Sequence, residues 1–156
     1  MAQGGVLGIH TRVGFSSTLS PLSYTKINQL LNVNIPSLDP DKVDISLHGS
    51  IWKRNMPGML TVGDMELTIM QDLDAATSPE QDTLYSLQAA GTTVAWRVEV
   101  PNQRGTPTSW TPFLFNGWVL GIHPGTALAE AQKLIVTVTF DGTAFTKGTA
   151  AASVIG

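Results

Sequence analysis

Apolar and polar residues alternate along several stretches of the chain. Alternation with period two predicts a β-strand with one buried face. In residues 42–48, Val43, Ile45 and Leu47 oppose Asp44, Ser46 and His48. In 64–70, Met65, Leu67 and Ile69 share one face. In 94–100, Trp96, Val98 and Val100 oppose Arg97 and Glu99; in 134–140, Leu134, Val136, Val138 and Phe140 oppose Ile135, Thr137 and Thr139. Residues 113–122 are apolar on both parities, which predicts a central or doubly covered strand. Residues 26–35 put Ile27, Leu31, Val33 and Ile35 on one parity and Lys26, Asn28, Asn32 and Asn34 on the other. A helix there is disfavoured by its Asn residues and Val33. Pro36 and Pro40 end that strand.

One segment has helical signals. Over 78–91, Ser78 is placed to cap, Pro79 suits the first turn, and Gln81 completes a Ser-x-x-Gln capping box. Leu84 and Leu87 form a narrow apolar stripe, and Gly91 stops the helix. A helix this short persists only by packing on other elements. Gly49 to Gly63, with Pro57-Gly58 inside, predicts a long loop joining strands 42–48 and 64–70 into a hairpin; loops of that length are usually functional. Residues 101–112 predict another loop. Residues 1–22, rich in Gly, Ser and Thr, and 141–156, made of small residues, predict an N-terminal and a C-terminal arm. There is no internal repeat.

The expected architecture is a single domain over 1–156, mainly β: a two-layer β-sandwich of about six strands with one flanking α-helix, a long hairpin loop and extended arms. The loops and arms take a large share of the chain, which suits a subunit with many neighbours.

Composition sharpens this. In 156 residues, 42% are hydrophobic and only 13% charged, so the chain folds but carries a weakly charged surface that favours association. The net charge is −3 with no Lys/Arg cluster, which opposes tight binding to a phosphate backbone. A surface that DNA slides past without sticking stays compatible. No cysteine is present, so disulfides, thiolate metal sites and a Cys nucleophile are excluded. No signal-peptide pattern opens the sequence and no apolar run is long enough for a membrane span, so a soluble compartment and no membrane partner are expected.

Catalytic readings fail on geometry. Asp44, Ser46 and His48 suggest a triad, but residues two apart on a strand stand parallel, roughly 6.5–7 Å apart. A nucleophile and its base must approach to about 3 Å. His10, His48 and His123 lack metal-ligand spacing, and no glycine motif supports nucleotide binding. No enzyme activity, cofactor or metal is expected. Of the four tryptophans, Trp96 and Trp118 lie within predicted strands and are assigned to the core. Trp52 and Trp110 lie in predicted loops, where an exposed Trp marks a protein interface more often than a sugar-stacking platform.

Five segments, in order along nearly the whole chain, resemble the tail tube proteins of long-tailed (siphovirus-type) bacteriophages. They are Leu7-Gly8-Ile9 with Ser23-Tyr24-Thr25-Lys26-Ile27; the run from Pro36 to His48; Arg54-Asn55-Met56-Pro57-Gly58-Met59 followed by Gly63-Asp64-Met65-Glu66-Leu67-Thr68; Trp96 to Pro101; and Phe113-Leu114-Phe115-Asn116-Gly117-Trp118-Val119. Ser46, Gly49 and Trp118 stand where the family usually has Thr, an acid and Tyr, which leaves the subfamily open.

The resemblance implies the tail-tube fold, homo-hexameric rings stacked into a virion tail tube, and kinship with the tubes of contractile injection systems. It implies assembly in the host bacterial cytoplasm, and as partners the chain itself, a tape measure protein inside the tube, tail terminator and distal tail proteins, and double-stranded DNA in transient passage without specific binding. Trp52, Arg54, Met56, Pro57, Met59 and Trp110 are the expected inter-subunit or inter-ring contacts. Asp44, Asp64 and Glu66 are the expected lumen-facing acids. Another ring component, such as a terminator, a distal tail protein or a contractile-system tube protein, remains an alternative. So does a carbohydrate-binding β-sandwich that uses the Trp residues.

Overall fold

The computed structural model describes residues 11–20, 22–72, 76–103, 107–125, 132–143 and 145–155. Ten strands and one helix follow in the order β1 (Arg12–Ser16), β2 (Thr25–Lys26), β3 (Leu30–Asn34), β4 (Leu38–Asp44), β5 (Asn55–Val62), β6 (Met65–Met70), α1 (Pro79–Ala90), β7 (Val94–Pro101), β8 (Trp110–Pro124), β9 (Lys133–Phe140) and β10 (Thr146–Lys147). The main sheet is antiparallel and runs β2-β1-β7-β8-β9-β6-β3, with β10 also on β8. Strands β4 and β5 form a separate two-stranded sheet.

The sheet becomes a sandwich at β8. Its first half pairs with β7 and its second half with β9, and the register slips between Val119 and Gly121. Gly117 sits at the handover. A Cβ there would lie 2.5 Å from the Thr139 carbonyl oxygen, so only glycine lets the strands approach at this corner. The two layers enclose one core: Val13, Phe15, Trp96, Val98 and Phe115 from one, Met65, Leu67, Ile69, Val136 and Val138 from the other. Leu84 and Leu87 of α1 join it. Trp96 Nε1 donates to the Gly117 carbonyl at 3.3 Å, so the indole enters the core with its polar atom satisfied.

The predicted strand over 26–35 is broken. Strand β2 belongs to one layer and β3 to the other, and the chain crosses between them with Gln29 at φ 60°. The crossing shifts the phase: Ile27 is buried, but Leu30 rather than Leu31 turns inward, and Leu31 is exposed. The Asn28 N–H donates to Glu80 Oε1 at 3.3 Å and the Met70 N–H to the Gln29 carbonyl at 3.0 Å, holding the turn on α1 and β6.

Both arms differ from expectation. Residues 12–16, assigned to the N-terminal arm, form β1, whose Val13 and Phe15 pair with Val98 and Trp96 and are buried. Five residues give too short an alternation to stand out from their Gly/Ser/Thr surroundings. Residues 1–10, with Leu7-Gly8-Ile9 and His10, lie outside the described residues, as do Pro21 and Gly156. The C-terminal segment is likewise docked. Strand β10 pairs with Phe113 and Leu114, Ala151 bridges to Trp110, and Ile155 is buried against Gly14. The tail closes on the fully buried Glu99, whose Oε1 accepts Ser153 Oγ–H at 3.1 Å, Val154 N–H at 3.3 Å and Ile155 N–H at 3.2 Å. Arg97 Nε stands 3.5 Å from the same oxygen.

Helix α1 takes the expected place, and Gly91 at φ 64° ends it by donating to Gln88 and Leu87 carbonyls. The capping box does not form. Ser78 Oγ donates to Asp72 Oδ2 at 3.1 Å, while Gln81 accepts the Asp72 N–H at 3.1 Å and donates to the Met70 carbonyl at 3.0 Å. Both side chains bind the β6–α1 connection instead of the helix start.

Candidate subunit interface

The predicted hairpin joined 42–48 to 64–70 through a loop over 49–63. The hairpin that forms is β4 with β5, and β6 belongs to the main sheet between β3 and β9. Pro57 and Gly58 lie within the predicted loop. They sit instead at a β-bulge, where β5 carries one residue more than β4 between the pairs Pro40↔Leu60 and Lys42↔Pro57. A bulge is where a strand tolerates proline. Glycine fits closely there, because a Cβ would meet Val43 Cγ2 at 3.0 Å and the Asp41 carbonyl at 3.2 Å, tighter than ordinary contact.

Beyond β4 the tip is ordered by side chains. The ladder continues with Ile45 N–H to the Arg54 carbonyl at 3.0 Å. Arg54 N–H donates to Ser46 Oγ at 2.9 Å, and Ser46 N–H donates to Asp44 Oδ1 at 2.9 Å. Hydrogen bonds from the Ser46 side chain and backbone hold the Asp44 carboxyl below the usual carboxylate range. Thus Asp44 and Ser46 serve the turn: Ser46 binds the backbone of Arg54 and its neighbour Asp44. Gly49 turns the tip at φ 86°, and Ser50 caps it with bonds to and from Trp52.

This hairpin carries its apolar residues in the open. Ile51 is 90% exposed, Met59 81% and Trp52 75%; Leu47 and Leu60 are also largely exposed, and Leu38, Val43, Ile45 and Met56 about half. Nine such side chains, at roughly 100 Å² each, present on the order of 900 Å² of apolar surface. Of the expected contact residues, Trp52, Arg54, Met56, Pro57 and Met59 all stand exposed on this element. Trp110 does not join them. It opens β8, is 6% exposed, and lies under Arg12, whose guanidinium carbon is 4.5 Å from the ring centroid.

The expected acids divide. Asp44 belongs to the hairpin. Asp64 precedes β6, and Glu66 projects from the outer face of β6, opposite the buried Met65 and Leu67. The pairings run Asn34↔Glu66, Glu66↔Thr137 and Thr137↔Gly121 across one row of that face, and Asn32↔Thr68 and Thr68↔Ile135 across the next. The face around Glu66 is therefore mostly polar and uncharged.

Sequence reasoning did not name Leu38, Ile51 and Leu60 among the contact residues; their exposure without a burying partner reveals them. The tryptophans form no sugar platform, since Trp96 and Trp110 are buried and Trp52 stands apart on the hairpin. Trp118, assigned to the core, is half-buried and pairs with Thr139, on the opposite parity from core residues Gly117 and Val119. A cleft of about 410 Å³, lined in part by Leu19, Leu22, Tyr24, Arg97 and Leu114, lies on the outer face of the β1–β7–β8 layer. Burial raises the Tyr24 phenol, against the lowering effect of Arg97. Among the described residues no cluster of His, Asp and Glu could hold a metal ion, and no helix is long and apolar enough to cross a membrane.

No protein-family model matches the chain, and no curated protein matches it. Solved structures share its fold. The SPP1 tail tube superposes with a TM-score of 0.70 at 10% identity, over 92% of this chain and 79% of that one. The tail of an empty gene transfer agent particle, refined with helical and C6 symmetry, gives 0.68 at 14%, over 95% and 100%. A subunit of the anti-feeding prophage baseplate gives 0.64 at 10%, over 94% and 97%. The fold is that of tail tubes and related injection machines.

Proposed function

We propose that this chain is a tail tube subunit, assembling with copies of itself into stacked hexameric rings that form a conduit for DNA. The observation that carries the proposal is the β4–β5 hairpin: a separate two-stranded sheet whose exposed apolar side chains, summed over both of its faces, amount to about the 800 Å² that one partner contributes to a standard protein interface. Fold likeness to the SPP1 tail tube and to a gene transfer agent tail of C6 symmetry supports the hexameric ring.

The main sheet offers the complementary means of closing a ring. Strands β2 and β3 stand at the two ends of its order. Edge strands present unpaired backbone groups, and pairing of one copy's edge with another's is a head-to-tail contact that closes into a ring. The row through Glu66, with Asp64 nearby, faces the lumen, where negative charge keeps DNA mobile by like-charge repulsion. The lumen holds a tape measure protein before DNA passes. Terminator and distal tail proteins bound the two ends of a tube assembled in the host cytoplasm and retained in the virion. The protein acts as a structural subunit rather than an enzyme.

Excision tests this directly. The Gly63 N–H donates to the Ser37 carbonyl at 3.0 Å, so Ser37 can be joined to Gly63 and residues 38–62 removed. The expected product is a folded monomer that forms no tubes. Tubes of normal form from that variant refute the proposal. The likeness to a baseplate subunit gives a second reading, a ring component that stops at one or a few layers. Isolated rings from the intact protein at any concentration favour it.

A further inference from the structure

The bulge does more than fit Pro57 into a strand. Directly opposed residues of an antiparallel pair point to one face, so the register sorts the hairpin's side chains. Towards the base, Leu38↔Val62 and Pro40↔Leu60 place apolar groups on the first face, while Asp39↔Thr61 is on the second. Beyond the bulge the assignment inverts. Lys42↔Pro57 and Asp44↔Asn55 continue the first face, and Val43↔Met56 continues the second, extended by Ile45 opposite Arg54. Sequence and register change together. The apolar parity of β4 moves from even (Leu38) to odd (Val43, Ile45), and the extra residue in β5 moves Met56 to Val43's face instead of Leu60's.

The hairpin therefore has two apolar surfaces on opposite faces, at the base and at the tip. Leu60 on one and Val43 and Met56 on the other are all substantially exposed. A two-stranded sheet is one layer thick, and a single flat surface covers only one of its faces.

Resting on the assembly reading above, we infer that each hairpin is held between two different copies of this chain, one packing on its base face and the other on its tip face. The occupant on both sides is the chain itself, because the area summed over both faces is about one partner's share of a standard interface and the hairpin's charges cancel, Asp39, Asp41 and Asp44 against Lys42, Lys53 and Arg54, so no ionic partner is called for. The bulge is the device that lets one hairpin meet two neighbours.

The absence of native cysteine allows a clean test. Thiols are introduced as Leu60→Cys, as Met56→Cys and as both together, and each is labelled with a short maleimide photo-crosslinker. The labelled protein is diluted into an excess of unlabelled wild type, assembled, irradiated and run on a denaturing gel. The single variants are expected to give covalent dimers and the double variant covalent trimers. Peptide mapping is expected to place the two crosslinks on different segments of the neighbours. Dimers alone from the double variant, or one thiol that yields no product in assembled tubes, overturn the inference while leaving the assembly reading intact. If the wild type forms no assemblies, the assembly reading itself fails and takes this inference with it.

Discussion

Three residues show how single positions set the local shape. Gly58 leaves room for Val43 at the bulge. Gly58→Ala puts a methyl group 3.0 Å from Val43 Cγ2, so the register that sorts the two faces is strained; the concentration needed for tube formation should rise several-fold, while the thermal midpoint of the core, measured by circular dichroism, stays close to wild type. Glu99 holds the C-terminal tail through three donors at one oxygen, while its Oε2 has no hydrogen-bond partner among the described residues. Glu99→Ala should cost about 1–3 kcal/mol in denaturant unfolding and speed hydrogen exchange at Val154 and Ile155. Unchanged exchange at those amides would show that the carboxylate does not hold the tail. Asp44 is stabilised as the carboxylate by Ser46. Its folded value is depressed, so its support of the tip turn is present above the ordinary carboxylate range and is lost as pH falls through the folded value. An NMR titration should find Asp44 protonating at lower pH than a free aspartate, and Ser46→Ala should move it back up.

At the scale of elements, legibility followed burial. The alternations over 64–70, 94–100 and 134–140 became β6, β7 and β9, because each has a core on one side. The alternation of Val43, Ile45 and Leu47 has the same period but no core to face. From sequence it reads as half-buried; in the structure it is open, since among the described residues no element packs on it. The partner strand was missed because Pro57-Gly58 is a breaker signal everywhere except at a bulge. Strand β1 was hidden by its length, and the docked tail by its small residues, which gain their places from long-range contacts with β8 and Glu99. Trp110 was placed with the exposed contacts because its loop-like neighbours suggested exposure; Arg12, nearly a hundred positions earlier, covers it. The Ser78/Gln81 pattern was correct in composition and different in partner, since Asp72 and the Met70 carbonyl compete for the same side chains. Independence of the hairpin from the core carries its own expectation: removing residues 38–62 should leave the unfolding midpoint of the sandwich near that of the intact chain. A collapse of the core on excision would show that β4 and β5 support it.

For the whole molecule, the proposed function assigns the polar outer sheet face to a lumen, the two terminal strands to ring closure and the exposed apolar hairpin to neighbouring copies. If the Glu66 face lines the lumen, Asp64→Lys with Glu66→Lys should leave tube formation intact and slow DNA ejection from particles carrying the variant, measured by dye-monitored release. Normal release would remove these acids from the lumen. The most direct measurement is electron microscopy of the purified, concentrated wild-type protein in negative stain. The account predicts regular hollow tubes of stacked six-fold rings; a protein that stays monomeric at every concentration examined would contradict it.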